Sequence, residues 1–352
     1  MTVMQRNGAE AGMSETKGAF VEVRDLEVKF VSRDATVSAV NGVTLDVARG
    51  EVLCVIGESG SGKSVMMRSL MRLHPKTRTR MAGSVRVGDH DILSLSDRGM
   101  SALRGSLISM IFQEPMTALD PLYTVGDQIA ETVMRHEGLN RTQAMKRALE
   151  LLELVRVPSP ERRLKARPHE LSGGLRQRIM IAIALSCRPD LLLADEPTTA
   201  LDASVQIQIL VLLRRLQREL GMSMIFVTHD LGVAAQIADK VAVMYAGRIV
   251  EYGSARDVLL DPKHPYTRGM LASNVKDQKR GEPLFALPGS PPDLRSLGTG
   301  CALAPRCASA EPGCFRHQPG ERRSAGGHAA RCFKVSEMDA RLVFDEATAV
   351  PA

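Results

Sequence analysis

The feature that most constrains this chain is the run G-E-S-G-S-G-K-S at positions 57–64. It follows an apolar segment at 52–56 and precedes a segment with helical apolar spacing that ends before Pro75. The pattern predicts a buried strand, a glycine-rich loop and a helix. Such a loop aims successive backbone N–H groups and a helix N-terminus at one point, which suits a phosphate group. The sequence therefore predicts an α/β protein that binds a nucleotide.

Two polar side chains of this loop have specific predicted roles. Lys63 is expected to reach the β- and γ-phosphates, and the Ser64 hydroxyl is expected to hold Mg²⁺. The residues before the lysine are expected to surround the phosphates with their small side chains and backbone N–H groups. These predicted contacts are Gly57, Ser59, Gly60, Ser61 and Gly62.

Composition narrows the class of protein further. At 352 residues with 44% hydrophobic content, the chain is long enough for one large core and a small appended module. The net charge of +6 is spread along the sequence and only 3% of residues are aromatic, which argues against a stacking platform for single-stranded nucleic acid. The positive balance favours a position near an anionic membrane surface.

The sequence shows neither a targeting segment nor a membrane span. Residues 1–19 lack an apolar core, so they predict a disordered N-terminus and no signal peptide. The longest strongly apolar helical run, at 179–187, is too short to cross a bilayer. We therefore expect a protein kept in the cytosol, where reducing conditions disfavour structural disulfides.

Strand patterns flank the loop on both sides. Residues 20–30 and 37–47 alternate apolar and polar side chains, which predicts an antiparallel hairpin at the edge of the central sheet. Phe30 ends the first of these strands, either as a core aromatic or as a ring that stacks on adenine. Residues 108–112 predict a buried strand ending at Gln113, at the end where open α/β sheets bind ligands. The Gln113 amide is expected to reach Mg²⁺ or the attacking water.

The strand signals then stop for about 50 residues. Helical patterns appear at 125–136 and 141–155. Strand signals resume only after Pro168. We interpret residues 115–172, approximately, as an α-helical subdomain inserted between strands of the sheet.

A second candidate anion-binding helix begins after Leu171, in the run LSGGLRQR at 171–178. Ser172 can cap the helix, and Gly173 and Gly174 leave its first N–H groups accessible. From these residues alone, a simple helix cap without a ligand is the alternative interpretation.

Two acidic residues end the apolar strand predicted at 190–196. Asp195 is expected to hold the water shell of Mg²⁺, and Glu196 to accept a proton from a water attacking the γ-phosphate. Unpaired buried carboxylates are costly, which favours a functional role for this pair. His229 follows a further apolar strand, and at the same sheet edge as Gln113 it can sense the γ-phosphate.

Taken together, these motifs resemble those of ABC-transporter ATPases over about residues 20–275. The matching motifs are a Walker A loop at 57–64, a Q-loop at Gln113, the LSGG signature at 171–178, a Walker B strand at 191–196 and a switch at His229. Leu175 stands where the broad family usually has Gln, but the capping Ser and both glycines are intact.

This resemblance implies the fold and the nucleotide site. The implied fold is a P-loop NTPase cassette with a mixed sheet core, antiparallel edge strands and an inserted α-helical subdomain. Two cassettes would pair head to tail around ATP and Mg²⁺, with Ser172, Gly173 and Gly174 acting on the partner's ATP. Phe30 would be the aromatic that stacks on adenine.

The resemblance also implies the catalytic roles. Glu196 would be the catalytic base, His229 the switch and Gln113 the link to the membrane subunits. Two rival classes fit less well. ATPases acting on DNA have long coiled coils and those acting on ribosomes carry a second cassette, and the sequence shows neither. A degenerate cassette without turnover is disfavoured because Glu196 and His229 are both present.

Three stretches resemble the dipeptide/oligopeptide/nickel importer subfamily more closely. They are FQEPMTALDPLYTVGDQI at 112–129, LSGGLRQRIMIAIAL at 171–185 and HPYTRGML at 264–271. The likeness implies a second, different ATPase subunit, two membrane permeases and an extracytoplasmic solute-binding protein, with no nucleic acid. It places the protein peripherally on the cytoplasmic face of the inner membrane. Di- or oligopeptides are the favoured solutes, while nickel chelates and other small solutes stay open.

Four cysteines near the C-terminus have the spacing C-x5-C-x6-C-x17-C among Gly, Pro and Arg. Such a segment cannot form a core alone, so a metal crosslink is a reasonable account. Four thiolates suit zinc or an iron–sulfur cluster, and free thiols are the third alternative. Members of the resembled subfamily can hold a [4Fe–4S] cluster here, which favours that group. The predicted ligands are Cys301, Cys307, Cys314 and Cys332.

The predicted domain organisation follows from these patterns. Residues 1–19 form the disordered N-terminus, and residues 20–262 form the nucleotide-binding domain. Residues 263–352 form a C-terminal extension, with the predicted metal-binding segment at 301–332.

Overall fold

A computed structural model describes residues 18–199, 201–273 and 286–335 of the chain. The predicted disordered N-terminus therefore lies outside the described residues, except for Gly18 and Ala19. Among the described residues, no helix is both long and apolar enough to cross a bilayer.

Strands and helices alternate through most of the described chain. The strands are β1 (Val21–Val31), β2 (Thr36–Val47), β3 (Val52–Ile56), β4 (Thr79–Val87), β5 (His90–Asp91), β6 (Ile108–Ile111), β7 (Leu191–Asp195), β8 (Ser223–Thr228), β9 (Lys240–Tyr245), β10 (Arg248–Ser254), β11 (Arg322–Arg323) and β12 (Ala329–Ala330). The helices are α1 (Lys63–Ser69), α2 (Asp97–Leu103), α3 (Pro115–Ala118), α4 (Val125–Glu137), α5 (Arg141–Leu154), α6 (Pro160–Leu164), α7 (Gly173–Leu185), α8 (Ala203–Leu220), α9 (Leu231–Ile237), α10 (Ala255–Leu260), α11 (Pro265–Ala272) and α12 (Pro312–Arg316).

The main sheet has the strand order β11-β12-β10-β9-β3-β8-β7-β6. The pairs from β9 through β3, β8 and β7 to β6 are parallel, whereas β9–β10, β10–β12 and β11–β12 are antiparallel. All side chains of β3, β7 and β8 are buried. Parallel strands covered on both faces need such continuous apolar runs. The predicted mixed α/β core is thus confirmed.

The predicted hairpin forms, but not at the edge of the central sheet. Strands β1 and β2 pair antiparallel, and β4 pairs with the other side of β1 in a separate sheet of order β2-β1-β4-β5. The hairpin therefore belongs to a second sheet and not to the edge of the main one. The break in alternation at Asp25 coincides with a register shift and a left-handed backbone, with φ of 48°. One core cluster lies between the two sheets and contains Val28, Leu53 and Met66.

The chain between β6 and β7 is largely helical. Helices α4 and α5 begin at the predicted residues and end within one residue of the predicted ends. Thr124 caps α4 by accepting a hydrogen bond from the Asp127 N–H, and Asn140 and Gln143 form a capping box on α5. Gly138, with φ of 66°, ends α4 in the left-handed conformation that glycine adopts most easily.

The C-terminal residues 286–335 are joined to the main sheet. Strand β12 pairs antiparallel with β10 beside Glu251. The buried Glu251 carboxylate accepts hydrogen bonds from the backbone N–H groups of Lys263 and His264, and lies 2.8 Å from His328 Nε2. Burial lowers the pKa of His264 to about 4, which keeps its imidazole neutral near pH 7. Buried hydrogen bonds therefore fix the extension to the sheet.

We expect two substitutions on α8 to differ sharply in their effect on stability. Leu213 is fully buried, whereas Val211 on the same helix is 63% exposed. Leu213→Ala leaves a cavity and should lower the free energy of unfolding by about 2–5 kcal/mol. Val211→Ala, the control, should change it by less than about 0.5 kcal/mol. Urea unfolding followed by circular dichroism measures both, and equal small losses would contradict the core assignment of Leu213.

Candidate nucleotide site

At three positions of the loop at 57–64, the backbone has a conformation that favours glycine. Gly57, Gly60 and Gly62 have φ of 154°, 78° and 103°. A Cβ at Gly57 would overlap the carbonyl oxygen of Met244, and one at Gly62 would overlap that of Ala39. The loop therefore packs against the neighbouring backbone on one side, as the predicted strand, loop and helix arrangement requires.

Lys63 closes the loop on itself. Its Nζ atom donates to the carbonyl oxygens of Gly57 at 2.8 Å and Glu58 at 2.9 Å. Burial lowers the pKa of Lys63, while the nearby carboxylates of Glu196, Asp195 and Glu58 act in the opposite direction. Lys63 is 5% exposed and lies at the start of α1, where a phosphate would be held.

Ser64 and Asp195, both predicted at Mg²⁺, lie side by side. Ser64 Oγ donates to Asp195 Oδ1 at 2.7 Å, and Arg68 Nη2 lies 3.4 Å from Asp195 Oδ2. The Asp195 carboxylate is fully buried, and burial raises its pKa, although Ser64 and Arg68 partly offset the shift. A buried carboxylate with a raised pKa gains when a cation binds it.

The other predicted catalytic side chains contact one carboxylate oxygen of Glu196. Glu196 Oε2 accepts hydrogen bonds from Gln113 Nε2 at 3.3 Å and Thr199 Oγ1 at 2.9 Å, and it lies 3.2 Å from His229 Nδ1. Gln113, Glu196 and His229 follow three neighbouring parallel strands, β6, β7 and β8. Gln113 contacts Glu196 and forms no hydrogen bond with Ser64 or Asp195 among the described residues.

The backbone of Glu196 is left-handed, with φ of 45°. For a residue with a side chain, this conformation costs about 1–2 kcal/mol. Its N–H donates to the Val227 carbonyl at 3.0 Å, which holds the turn after β7 against β8. Local strain at a carboxylate that also has three polar neighbours is typical of a functional residue.

Phe30 and the signature residues lie outside this cluster. The Phe30 ring packs edge-on against His74, with centroids 5.3 Å apart, and contacts the core between the two sheets. Ser172 caps α7 by accepting a hydrogen bond from the Leu175 N–H at 3.4 Å. Ser172 and Gly173 are exposed, and among the described residues no hydrogen bond joins them to the loop at 57–64.

The four C-terminal cysteines line one pocket. Cys301, Cys307, Cys314 and Cys332 are all free thiols, and burial raises the pKa of the first, second and fourth. Within the described parts of the chain, no three side chains of His, Cys, Asp or Glu are arranged to hold a metal ion.

Sequence reasoning missed three contributors to the site. Arg68 lies beside Asp195, one turn along α1 from Ser64. Tyr266 Oη accepts a hydrogen bond from the Glu58 N–H at 2.8 Å, and Arg306 pairs with the Glu58 carboxylate. The sequence could have predicted Arg68, because its helical spacing from Ser64 places both side chains on the same face of α1. The other two come from distant segments and could not be found from local patterns.

Comparison with known proteins identifies the family. The model of the family described as "ABC transporter" matches residues 40–199, and the model of the "Oligopeptide/dipeptide transporter, C-terminal region" matches residues 250–314. The dipeptide transport ATP-binding protein DppD of Bacillus subtilis is 46% identical over 89% of this chain and 94% of its own length. The chain belongs to the ABC transporter ATP-binding proteins.

Further relatives of this family are similar over the same span. The oligopeptide transport ATP-binding protein OppD of Salmonella typhimurium is 47% identical over 90% of this chain and 94% of its own. The dimeric post-hydrolysis structure of the ATP-binding cassette MJ0796, bound to ADP and Pi, has a TM-score of 0.61 at 29% identity. It covers 67% of this chain and 99% of that cassette. The cassette fold is therefore shared, and ATP with Mg²⁺ is the expected ligand of this family member.

We expect Asp195→Asn to separate stability from Mg²⁺ binding. Because the folded-state pKa of Asp195 is raised, ionisation of this carboxyl lowers stability as pH rises from its unfolded pKa through its folded pKa. Asn removes this cost and keeps an oxygen for Ser64, so the nucleotide-free variant should melt no lower than wild type. The variant should lose most of the increase in Tm that Mg²⁺–ATP gives.

The control is Asp190→Asn, an exposed carboxylate just before β7. It should keep the full Mg²⁺–ATP response, which amounts to about 2.7 kcal/mol at a ligand concentration of 100 Kd. A wild-type response in Asp195→Asn would remove Asp195 from the proposed metal site.

Proposed function

We propose that this chain is the ATP-hydrolysing subunit of an importer that takes up di- or oligopeptides across the cytoplasmic membrane. The observation that carries the proposal is that Gln113 and His229 both lie within hydrogen-bond distance of one carboxylate oxygen of Glu196, beside the phosphate-binding loop. Two relatives are a dipeptide and an oligopeptide transport ATP-binding protein, which supports peptides as the solute.

In this proposal each polar group of the loop contacts a particular part of ATP or its Mg²⁺. Lys63 leaves its two carbonyl acceptors and contacts the β- and γ-phosphates. Ser64 and Asp195 would hold Mg²⁺, whose charge would offset the buried carboxylate. The backbone from Gly57 to Gly62, with Ser59, Gly60 and Ser61, surrounds the phosphates. Ser61 Oγ is buried and has no hydrogen-bond partner within the described parts of the chain, as expected of a group that binds a ligand.

Glu196 acts as the general base in the proposed reaction. Its carboxylate accepts a proton from the water that attacks the γ-phosphate, and its side chain is only 14% exposed. Gln113 and His229 fix the carboxylate and orient that water. Phe30 stacks on the adenine, which requires its partly buried ring to move from its contact with His74.

We further propose that two cassettes pair head to tail. Ser172, Gly173 and Gly174 would then contact the ATP held by the partner, since Ser172 and Gly173 at the start of α7 are exposed. The solved cassette MJ0796 is described as dimeric, which supports this arrangement. In this chain's transporter the partner is a second, different ATPase subunit.

The proposed assembly also contains two permeases and an extracytoplasmic solute-binding protein, with the chain on the cytoplasmic face of the inner membrane. The cassette comprises residues 20–262, with a helical subdomain at about 115–172. Near Gln113, four large apolar side chains are 40–74% exposed, as expected of a surface that contacts another subunit. They are Phe112, Met116, Leu122 and Tyr123.

The extension at 263–352 is proposed to hold a [4Fe–4S] cluster in its segment 301–332. The four thiols share one pocket, and their burial disfavours thiolates unless positive charge is bound. A single zinc, the alternative, needs its ligands about 2.3 Å away, whereas an iron–sulfur cluster is larger than one ion. Among the described residues no three His, Cys, Asp or Glu side chains are arranged to hold a metal ion, so the preference for the cluster rests on the resemblance of the extension to the importer subfamily. When bound, the cluster would crosslink a segment that has little apolar core.

Glu196→Gln tests the ATPase assignment. The variant, purified with its partner subunits, should lose at least about 100-fold in ATP hydrolysis, because the general base is removed. Its affinity for ATP should stay within about twofold, since Gln keeps an acceptor for Thr199 and the loop is unchanged. Glu219→Gln, at an exposed position of α8, is the control that should hydrolyse ATP at the wild-type rate.

The transport part of the proposal has its own measurement. In proteoliposomes with permeases and binding protein, di- or oligopeptides should stimulate wild-type hydrolysis and be taken up. Full ATPase activity in Glu196→Gln would contradict the catalytic role. Hydrolysis that responds to no peptide would contradict the transport role alone.

Anaerobic purification tests the cluster. The wild-type chain should show broad visible absorbance and about four irons per chain. Cys301→Ser should lose both, whereas Cys187→Ser, at a half-buried thiol near the Thr132 carbonyl, should keep both. A colourless protein with one zinc would support the alternative, and a protein without metal would contradict both.

A further inference from the structure

The second residue of the phosphate-binding loop is bound to the C-terminal extension. Arg306 Nη1 donates to Glu58 Oε2 at 2.8 Å, and Nη2 donates to Oε1 at 3.1 Å. Two parallel bonds of this kind fix the orientation of both groups as well as their distance. The Arg306 side chain is 6% exposed and that of Glu58 is 27% exposed. This pair is therefore shielded from solvent, unlike a surface ion pair.

Arg306 is itself held rigidly. Its Nε atom donates to the Pro288 carbonyl at 2.8 Å, and its Nη1 atom donates to Tyr245 Oη at 3.3 Å. The residue ends the short helical turn Ala304–Arg306. Its pKa is raised, chiefly by the hydrogen bonds to Glu58, so the guanidinium is always charged. The extension therefore presents a fixed cation to the loop.

Glu58 is held by four contacts, and one of them has another task. Its N–H donates to Tyr266 Oη at 2.8 Å, and its carboxylate binds Arg306. Its carbonyl accepts from Lys63 Nζ at 2.9 Å and from the Ser61 N–H at 3.2 Å. When Lys63 turns to the phosphates of ATP, it releases the Glu58 carbonyl. Tyr266 and Arg306 are then the side chains that keep Glu58 in place, beside the backbone hydrogen bond from Ser61.

The loop needs external support because its backbone is unusually free. Gly57, Gly60 and Gly62 all have positive φ, and glycine loses more conformational freedom than other residues when it is ordered. Fixing Glu58 in advance lowers the entropy lost when the loop closes around phosphates. The contribution is to ATP affinity, because the support is present both before and during the reaction.

We propose that Arg306 is a positioning residue for the phosphate-binding loop, and that through it the Cys-rich extension forms part of the ATP site. The inference rests on the proposed function of the loop at 57–64 as the ATP site. Arg306 acts through Glu58 and touches neither ATP nor the reacting atoms. Because Cys301 and Cys307 flank the segment that carries Arg306, a rearrangement of that segment withdraws the support of Glu58.

The test measures ATP binding and turnover separately. Binding is titrated on the full chain with a fluorescent ATP analogue and Mg²⁺, and kcat and KM are measured with the partner subunits. Arg306→Ala should raise Kd and KM about tenfold, since it removes two charged hydrogen bonds, and leave kcat within about twofold. Arg306→Lys, which keeps the charge but not the paired geometry, should fall between Ala and wild type.

Two controls separate positioning from mere folding. Arg295→Ala removes an exposed guanidinium of the same extension that pairs with the nearby Asp293, and it should change neither Kd nor KM. A loss of folded protein would lower kcat without changing KM, because the remaining molecules would bind ATP normally. A change in KM at constant kcat is therefore the signature of positioning.

A double-mutant cycle tests whether Arg306 acts through Glu58. Arg306→Ala in a Glu58→Ala background should raise Kd no further than the worse single variant does. The proposal would be overturned if the effects of the two substitutions on Kd multiply in the double variant, or if Arg306→Ala binds ATP with wild-type affinity. If Arg306→Ala fails to fold, Arg306→Lys and Glu58→Gln decide, and wild-type affinity in both would overturn it. A wild-type chain that binds no ATP would instead contradict the proposed function.

Discussion

The structure depends on the alignment of parallel strands in one sheet. Since β3, β6, β7 and β8 run in the same direction, their carboxyl ends meet along one edge. Each strand is short, apolar and buried, so it has little freedom to shift by a residue without exposing its neighbours. Residues that are far apart in sequence, such as Gln113 and Glu196, thereby reach hydrogen-bond distance. The loop and the two carboxylates proposed to bind Mg²⁺ and to act in catalysis share that edge.

This edge concentrates charge in a place where charge is costly. Asp195 is fully buried with a raised pKa, and Lys63 is buried with a lowered pKa. In the free protein these groups are satisfied by local substitutes, the Ser64 hydroxyl and the carbonyls of the loop itself. Phosphate and Mg²⁺ are better partners for the same groups, since they bring full opposite charges. The site is thus built with polar groups that gain most when the ligand arrives.

The C-terminal extension contacts the cassette at two places. At the sheet edge, β12 pairs with β10 over the buried Glu251, whose carboxylate is satisfied by neighbouring N–H groups and His328. Nearer the nucleotide site, Arg306 reaches the carboxylate of Glu58. Both contacts bury an ionisable group against a partner from the extension, so the removal of the extension would leave costly unpaired charge. The extension and the ATP site are therefore physically coupled.

The sequence by itself determined the local elements and the motifs. Strand β3, the glycine-rich loop, the bounds of α4 and α5, and the pair at Asp195 and Glu196 all follow from periodicity, caps and residue type within short windows. Only the tertiary structure decided which elements became neighbours. It placed the first hairpin with β4 and β5 in a separate sheet, and it brought Arg306 to Glu58 across 248 positions of sequence. Contacts of that kind depend on the packing of the whole chain, and no local pattern of residues encodes them.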